Sequence, residues 1–78
     1  MIRVTYSGPP HPVLGLVAML EDADYEVTYD PPDLSAPDVV DVELWVTDIQ
    51  LKGAAGVAAV VQAFEARHAD LAVTVQVH

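Results

Sequence analysis

The chain has 78 residues, 53% of them hydrophobic, and its 12 Asp and Glu against 3 Lys and Arg give a formal net charge of −9. That length fits one small domain burying only about 60% of its unfolded-state surface, and the apolar content excludes gross disorder, which requires too few hydrophobic groups to collapse. The absence of cysteine excludes disulfides, thiolate zinc sites and cysteine nucleophiles, while the acidic balance excludes nucleic acid as a ligand, because binding it requires Lys and Arg to replace condensed counterions.

Ile2, Val4 and Tyr6 alternate with Arg3, Thr5 and Ser7, the pattern of a half-buried first strand. Ser7-Gly8-Pro9-Pro10-His11-Pro12 ends it, since proline cannot donate to a ladder. A first helix is predicted from about Pro12 to Asp22, with Pro12 suited to the first turn and Val13, Leu16, Val17 and Leu20 spaced along one buried face. Gly15 weakens this helix by about 1 kcal/mol relative to Ala, so tertiary packing must hold it. Tyr25, Val27 and Tyr29 alternate with Glu26, Thr28 and Asp30 as a second strand.

Asp30 to Asp38 is the longest unpatterned stretch, and Pro31, Pro32 and Pro37 make it an extended connection. The third strand has the clearest alternation, with Val40, Val42, Leu44 and Val46 against Asp41, Glu43, Trp45 and Thr47. A second helix is predicted from about Ala54 to Ala69, with Val57, Val60, Val61 and Phe64 as its core stripe. Leu71, Val73, Val75 and Val77 then alternate with Ala72, Thr74, Gln76 and His78 as a last strand.

The order β-α-β-β-α-β, with one apolar face per strand, predicts a single α+β domain over residues 1–78: a ferredoxin-like four-stranded sheet with two helices on one face. A parallel flavodoxin-like sheet would bury both faces and would not alternate in this way. The expected core is Ile2, Val4 and Tyr6; Val13, Leu16, Val17 and Leu20; Val27; Val42, Leu44 and Val46; Val57, Val60, Val61 and Phe64; and Leu71, Val73 and Val75.

Charge is placed unevenly along this frame. No Lys or Arg lies between Arg3 and Lys52, and that interval holds Glu21, Asp22, Asp24, Glu26, Asp30, Asp33, Asp38, Asp41, Glu43 and Asp48. An anionic membrane surface is disfavoured by this block, and no apolar run is long enough to span a bilayer. The first strand lacks the apolar stretch of a signal peptide, so a cytoplasmic protein is expected. The acidic block reads either as a solvated, solubilising face or as a docking surface for a basic partner.

Catalytic and metal chemistry finds little support. Asp22, Asp24 and Glu26 have a calcium-loop-like spacing but lack the turn glycine and the distant bidentate Glu. His11, His68 and His78 show no ligand spacing, so no metal or other cofactor is expected. Ser7 and Ser35 are outside any nucleophile elbow, and His11 in a proline-rich loop does not make a base–nucleophile pair. The lack of Asn and scarcity of Arg also argue against acylphosphatase, a ferredoxin-like enzyme of similar size. Lys52-Gly53-Ala54-Ala55-Gly56 could bind an anion at a helix N-terminus, but lacks phosphate-loop spacing and reads better as a turn with Gly56 packed closely on the sheet.

Trp45 is the most informative residue. Strand parity points it away from the helices, onto an open sheet face with Asp41, Glu43, Thr5, Thr28, Thr47 and Thr74. RNA-recognition sheets need basic residues around such an aromatic, and here the neighbours are acidic. Trp45, Asp41, Glu43, Thr28 and Thr47 are therefore the candidate partner-binding residues, since interface hot spots are enriched in Trp. The alternative is a Trp partly covered by a loop such as Asp33 to Pro37.

The chain resembles the effector-associated constant component domain, a bacterial family. The likeness rests on the strand Ile2-Arg3-Val4-Thr5, a Leu-rich first helix ending in acids, Pro31-Pro32 before a hydrophobic strand, and Val39-Val40-Asp41-Val42-Glu43-Leu44. It continues through Gly53-Ala54-Ala55-Gly56 and Ala63-Phe64-Glu65-Ala66-Arg67-His68-Ala69-Asp70-Leu71-Ala72-Val73-Thr74-Val75. The chain departs from the family pattern at Asp48 to Lys52 and in stopping after the last strand. The resemblance implies a non-catalytic adaptor that partners effector enzymes such as peptidases in bacterial conflict systems.

The expectation is thus a non-enzymatic protein–protein interaction module with a basic protein partner. A small-molecule-binding regulatory domain, with Gly8 and the Pro-rich loop lining its site, is one alternative. An acidic nucleic-acid mimic of viral origin is another. Self-association is expected under each, because an exposed Trp and an unpaired sheet edge favour twofold contacts.

Overall fold

The structure, a computed structural model, describes residues 1–35 and 38–78. It contains β1 (Ile2–Gly8), α1 (Pro12–Asp22), β2 (Glu26–Tyr29), β3 (Val40–Thr47), α2 (Ala54–Arg67) and β4 (Thr74–Val77). The strands form one antiparallel sheet in the order β2-β3-β1-β4. Each β-α-β half is split by a strand of the other half, which is the ferredoxin-like arrangement expected from the sequence.

Both helices cover one side of this sheet. Val4 and Tyr6 from β1 and Val42, Leu44 and Val46 from β3 meet Val13, Leu16, Val17 and Leu20 of α1 and Val57, Val61 and Phe64 of α2. The ring of Phe64 meets Tyr6 edge-on at 6.2 Å between centroids and His68 at 4.6 Å. Ile2, Val27, Val60 and Val73, expected in the core, are only partly buried at its margin.

Three boundaries differ from expectation. The second helix ends at Arg67, and the His68 N–H bonds to the Glu65 carbonyl in a final tight turn. The last strand starts at Thr74, and Leu71 is 41% exposed and outside the core. β1 ends at Gly8 before two prolines that offer no N–H to a longer ladder. The chain instead turns through Leu71, whose N–H bonds to the His68 carbonyl, and passes close over Gly8, where a Cβ would lie 3.1 Å from the Ala72 oxygen.

Tyr25 is the third difference: it precedes β2 and is a core residue, only 4% exposed. Its N–H bonds to the Leu20 carbonyl and that of Asp24 to the Glu21 carbonyl, while Asp24 takes a left-handed φ of 67°. This pair of bonds is a Schellman cap with an aspartate where glycine usually stands. Asp22 and Asp24 thus belong to the end of α1 and not to a cation loop. Among the described residues, no group of three or more His, Asp or Glu is placed to hold a metal ion.

Candidate interaction surface

Alternation along β3 buries Val42, Leu44 and Val46 and turns Asp41, Glu43, Trp45 and Thr47 to the side opposite the helices. The antiparallel register then fixes their neighbours. Thr28 of β2 and Arg3 of β1 flank Trp45, Thr5 lies across from Glu43, and Ser7 lies across from Asp41. Further out, Gln76 pairs with Thr5, Thr74 pairs with Ser7, and Glu26 pairs with Thr47. The open face is therefore polar throughout, with one large aromatic in it.

Trp45 is 40% exposed, so a substantial part of the indole is open to solvent. The segment Asp33 to Pro37, the loop that could have covered it, includes Ala36 and Pro37, which lie outside the described residues. Of that segment, Asp33 folds onto itself, its carboxylate accepting bonds from the Ser35 hydroxyl (2.6 Å) and N–H (3.0 Å). These two bonds hold the Asp33 carboxyl below its usual pKa.

Two shallow depressions lie on the open face, separated by the carboxylates of Asp41 and Glu43. One, toward β2, is bounded by Trp45, Thr28, Asp30, Asp41 and Glu43. The other, toward β4, is bounded by Thr5, Ser7, Thr74 and Gln76 with the same two acids. Four of the sequence-predicted residues, Trp45, Asp41, Glu43 and Thr28, thus converge on one depression. Thr47 shares their face but sits half-buried at the end of β3 beside Glu26, outside both. Asp30 lies outside the sequence-predicted set: its parity with Glu26 and Thr28 puts it on this face, but only the adjacency of β2 and β3 brings it to Trp45.

Chemical catalysis lacks an assembled constellation among the described residues. The nearest approach is Thr5 Oγ1 to His78 Nε2 at 3.1 Å, an exposed pair. Among the described residues, no third group is bonded to the other ring nitrogen to set the tautomer, as a nucleophile–base–orienter array requires. His11 is exposed, and the His68 ring is committed to Phe64.

The loop before α2 explains the fate of the Lys52 to Gly56 motif. Asp48 folds back so that one carboxylate oxygen accepts the Gly53 N–H. Partial desolvation would raise its pKa, but the N–H groups of Gly53, Lys52, Gln50 and Leu51 outweigh this and hold the carboxyl below its usual value. An anion is therefore already present at this helix start, supplied by the chain itself. Gly56 packs directly beneath the Tyr25 hydroxyl, and a Cβ there would overlap the phenolic oxygen. That hydroxyl has no hydrogen-bond partner among the described residues, and burial followed by the nearby Asp48 charge pushes its pKa up. Lys52 Nζ lies 5.7 Å from the Tyr25 ring centroid and donates to the Ala23 carbonyl at 3.2 Å.

Among the described residues, no helix is long and apolar enough to cross a membrane. No protein-family model matches the chain, and no curated protein matches it.

Proposed function

We propose that this chain is a non-enzymatic protein–protein interaction module that engages its partner through the open sheet face around Trp45. The observation that supports this is the 40% exposure of a Trp at the centre of a face that is otherwise polar. A rigid aromatic held by a sheet loses little conformational freedom on binding and can bury a large area, which is why Trp is enriched among hot spots. The resemblance to the effector-associated constant component domain gives this module a setting: an adaptor for an effector enzyme of a bacterial conflict system, working in the cytoplasm. Self-association belongs to the same proposal, through the free side of β2 or β4, each a four-residue edge strand.

The test is quantitative affinity capture from the source cells with the wild-type chain, Trp45→Ala, and Glu65→Ala on the exposed side of α2 as control. At least one protein should fall tenfold or more with Trp45→Ala and stay unchanged with Glu65→Ala. Identical capture profiles for all three chains would refute the reading. Light scattering tests the self-association, which a monomer at high micromolar concentration would exclude.

A further inference from the structure

We infer that the β2–β3 half of the open sheet face docks an arginine-bearing segment of a partner protein, with the guanidinium held against Trp45 and the surrounding carboxylates. This rests on the interaction-module reading and names the chemistry of the partner. The depression beside Trp45 carries Asp30, Asp41 and Glu43 on its rim, and Glu26 lies further along the same side of β2. All four carboxylates are exposed, and no Lys or Arg occurs in either strand. The indole offers an electron-rich face, and cations over Trp gain most among the aromatic residues.

Charge complementarity selects the occupant. A second copy laid face to face would bring two such carboxylate sets together, and like charges in register are destabilising. Polyanions and anionic lipid surfaces are repelled for the same reason. A cationic protein segment is attracted, and arginine fits better than lysine. Its planar guanidinium stacks on an aromatic face while its five N–H donors reach carboxylates at the edge, whereas an ammonium is a strongly hydrated point charge. Thr28, in register with Trp45, supplies a further acceptor on the β2 side. Arg3 flanks Trp45 on the opposite, β1 side, leaving the approach over β2 to the incoming cation.

Trp45 is the only tryptophan in the chain, so its emission reports on this site directly. The probes are hexa-arginine and hexa-lysine peptides, titrated by Trp45 fluorescence and by calorimetry at low and physiological salt. Hexa-arginine should perturb the emission saturably and bind at least threefold tighter than hexa-lysine. D41N/E43Q should weaken it tenfold or more and flatten the salt dependence. E21Q/D22N, the same charge change at the exposed end of α1, should alter it less than twofold. Equal weakening by the two double variants would reduce the binding to a diffuse polyelectrolyte effect and overturn the proposal. Calorimetric binding without any change in Trp45 emission would overturn it too, as would equal affinity for the two peptides. If hexa-arginine fails while Trp45-dependent capture of a protein succeeds, the module reading stands and the arginine inference falls. If both fail, both fall.

Discussion

Gly56 and Tyr25 should be strongly coupled in stability, and the coupling should have a sign that neither residue predicts alone. A Cβ at Gly56 would overlap the Tyr25 hydroxyl oxygen, with Lys52 Cβ at 3.1 Å and Tyr25 Cζ at 3.6 Å as its next contacts. Gly56→Ala gains up to about 1 kcal/mol of helix propensity, but forcing the ring aside in a packed core costs roughly 1–3 kcal/mol. The single variant should therefore be destabilised by about 1 kcal/mol, the middle of a net range of roughly 0–2 kcal/mol. Tyr25→Phe removes a buried hydroxyl that has no partner among the described residues. Leaving such a group unsatisfied costs about 1–3 kcal/mol, so this variant should be neutral or more stable.

In the double variant the overlap is gone. The remaining approach to the ring, 3.6 Å, is ordinary van der Waals contact, and only Lys52 Cβ must give slightly. Alanine should then express its propensity advantage, and the double variant should be at least as stable as wild type. The expected coupling energy is about 2 kcal/mol, well above the roughly 0.3–0.5 kcal/mol scatter of independent sites. Urea unfolding of the four proteins, followed by circular dichroism, measures it, and each 1 kcal/mol should also move the melting midpoint by roughly 4–8 °C. Additive effects would refute the reasoning, as would a Tyr25→Phe variant destabilised by more than about 1 kcal/mol, because the hydroxyl would then have a partner.

Three further outcomes are expected. Gly15 lies exposed in α1, and a Cβ there would meet nothing within 4 Å; Gly15→Ala should therefore stabilise the chain by about 0.5–1 kcal/mol in urea unfolding. Asp24→Gly should raise stability by roughly 0.5–1 kcal/mol, because it relieves a left-handed backbone and removes a negative charge from a helix C-terminus; a destabilised variant would show that the Asp24 side chain is itself structural. Asp48 has a folded-state pKa below its unfolded value, so its contribution is present above about pH 4 and lost as pH falls through the folded value. The wild-type urea midpoint should accordingly fall more steeply from pH 5 to pH 3 than that of Asp48→Asn, and parallel profiles would disprove this role for the carboxylate.

The extent to which the sequence revealed these features follows from where the determinants lie. α1 and β3 were read to their end residues, since Pro12 and the spacing of Val13, Leu16, Val17 and Leu20 are local signals, as is the strict alternation from Val40 to Thr47. The position of Trp45 needed parity alone. The burial of Tyr25 is not legible, because the cap that turns the chain inward is built on an aspartate, and the usual marker for that turn is glycine. The start of β4 is not legible, because Leu71 and Val73 continue the alternation although the partner strand ends at Gly8. Asp30 joined the candidate surface only through strand order, a long-range property that no single segment encodes.

The pairing of β1 with β4 has a mechanical consequence. The His78 N–H bonds to the Arg3 carbonyl at 2.8 Å, so the two ends of the described chain are neighbours on antiparallel strands. Force applied by tethers at these ends would open the ladder one rung at a time, like a zipper, and would not load all its bonds together in shear. The same closeness suits the unit to being spliced into a loop of another protein, because it would span little more distance than a tight turn.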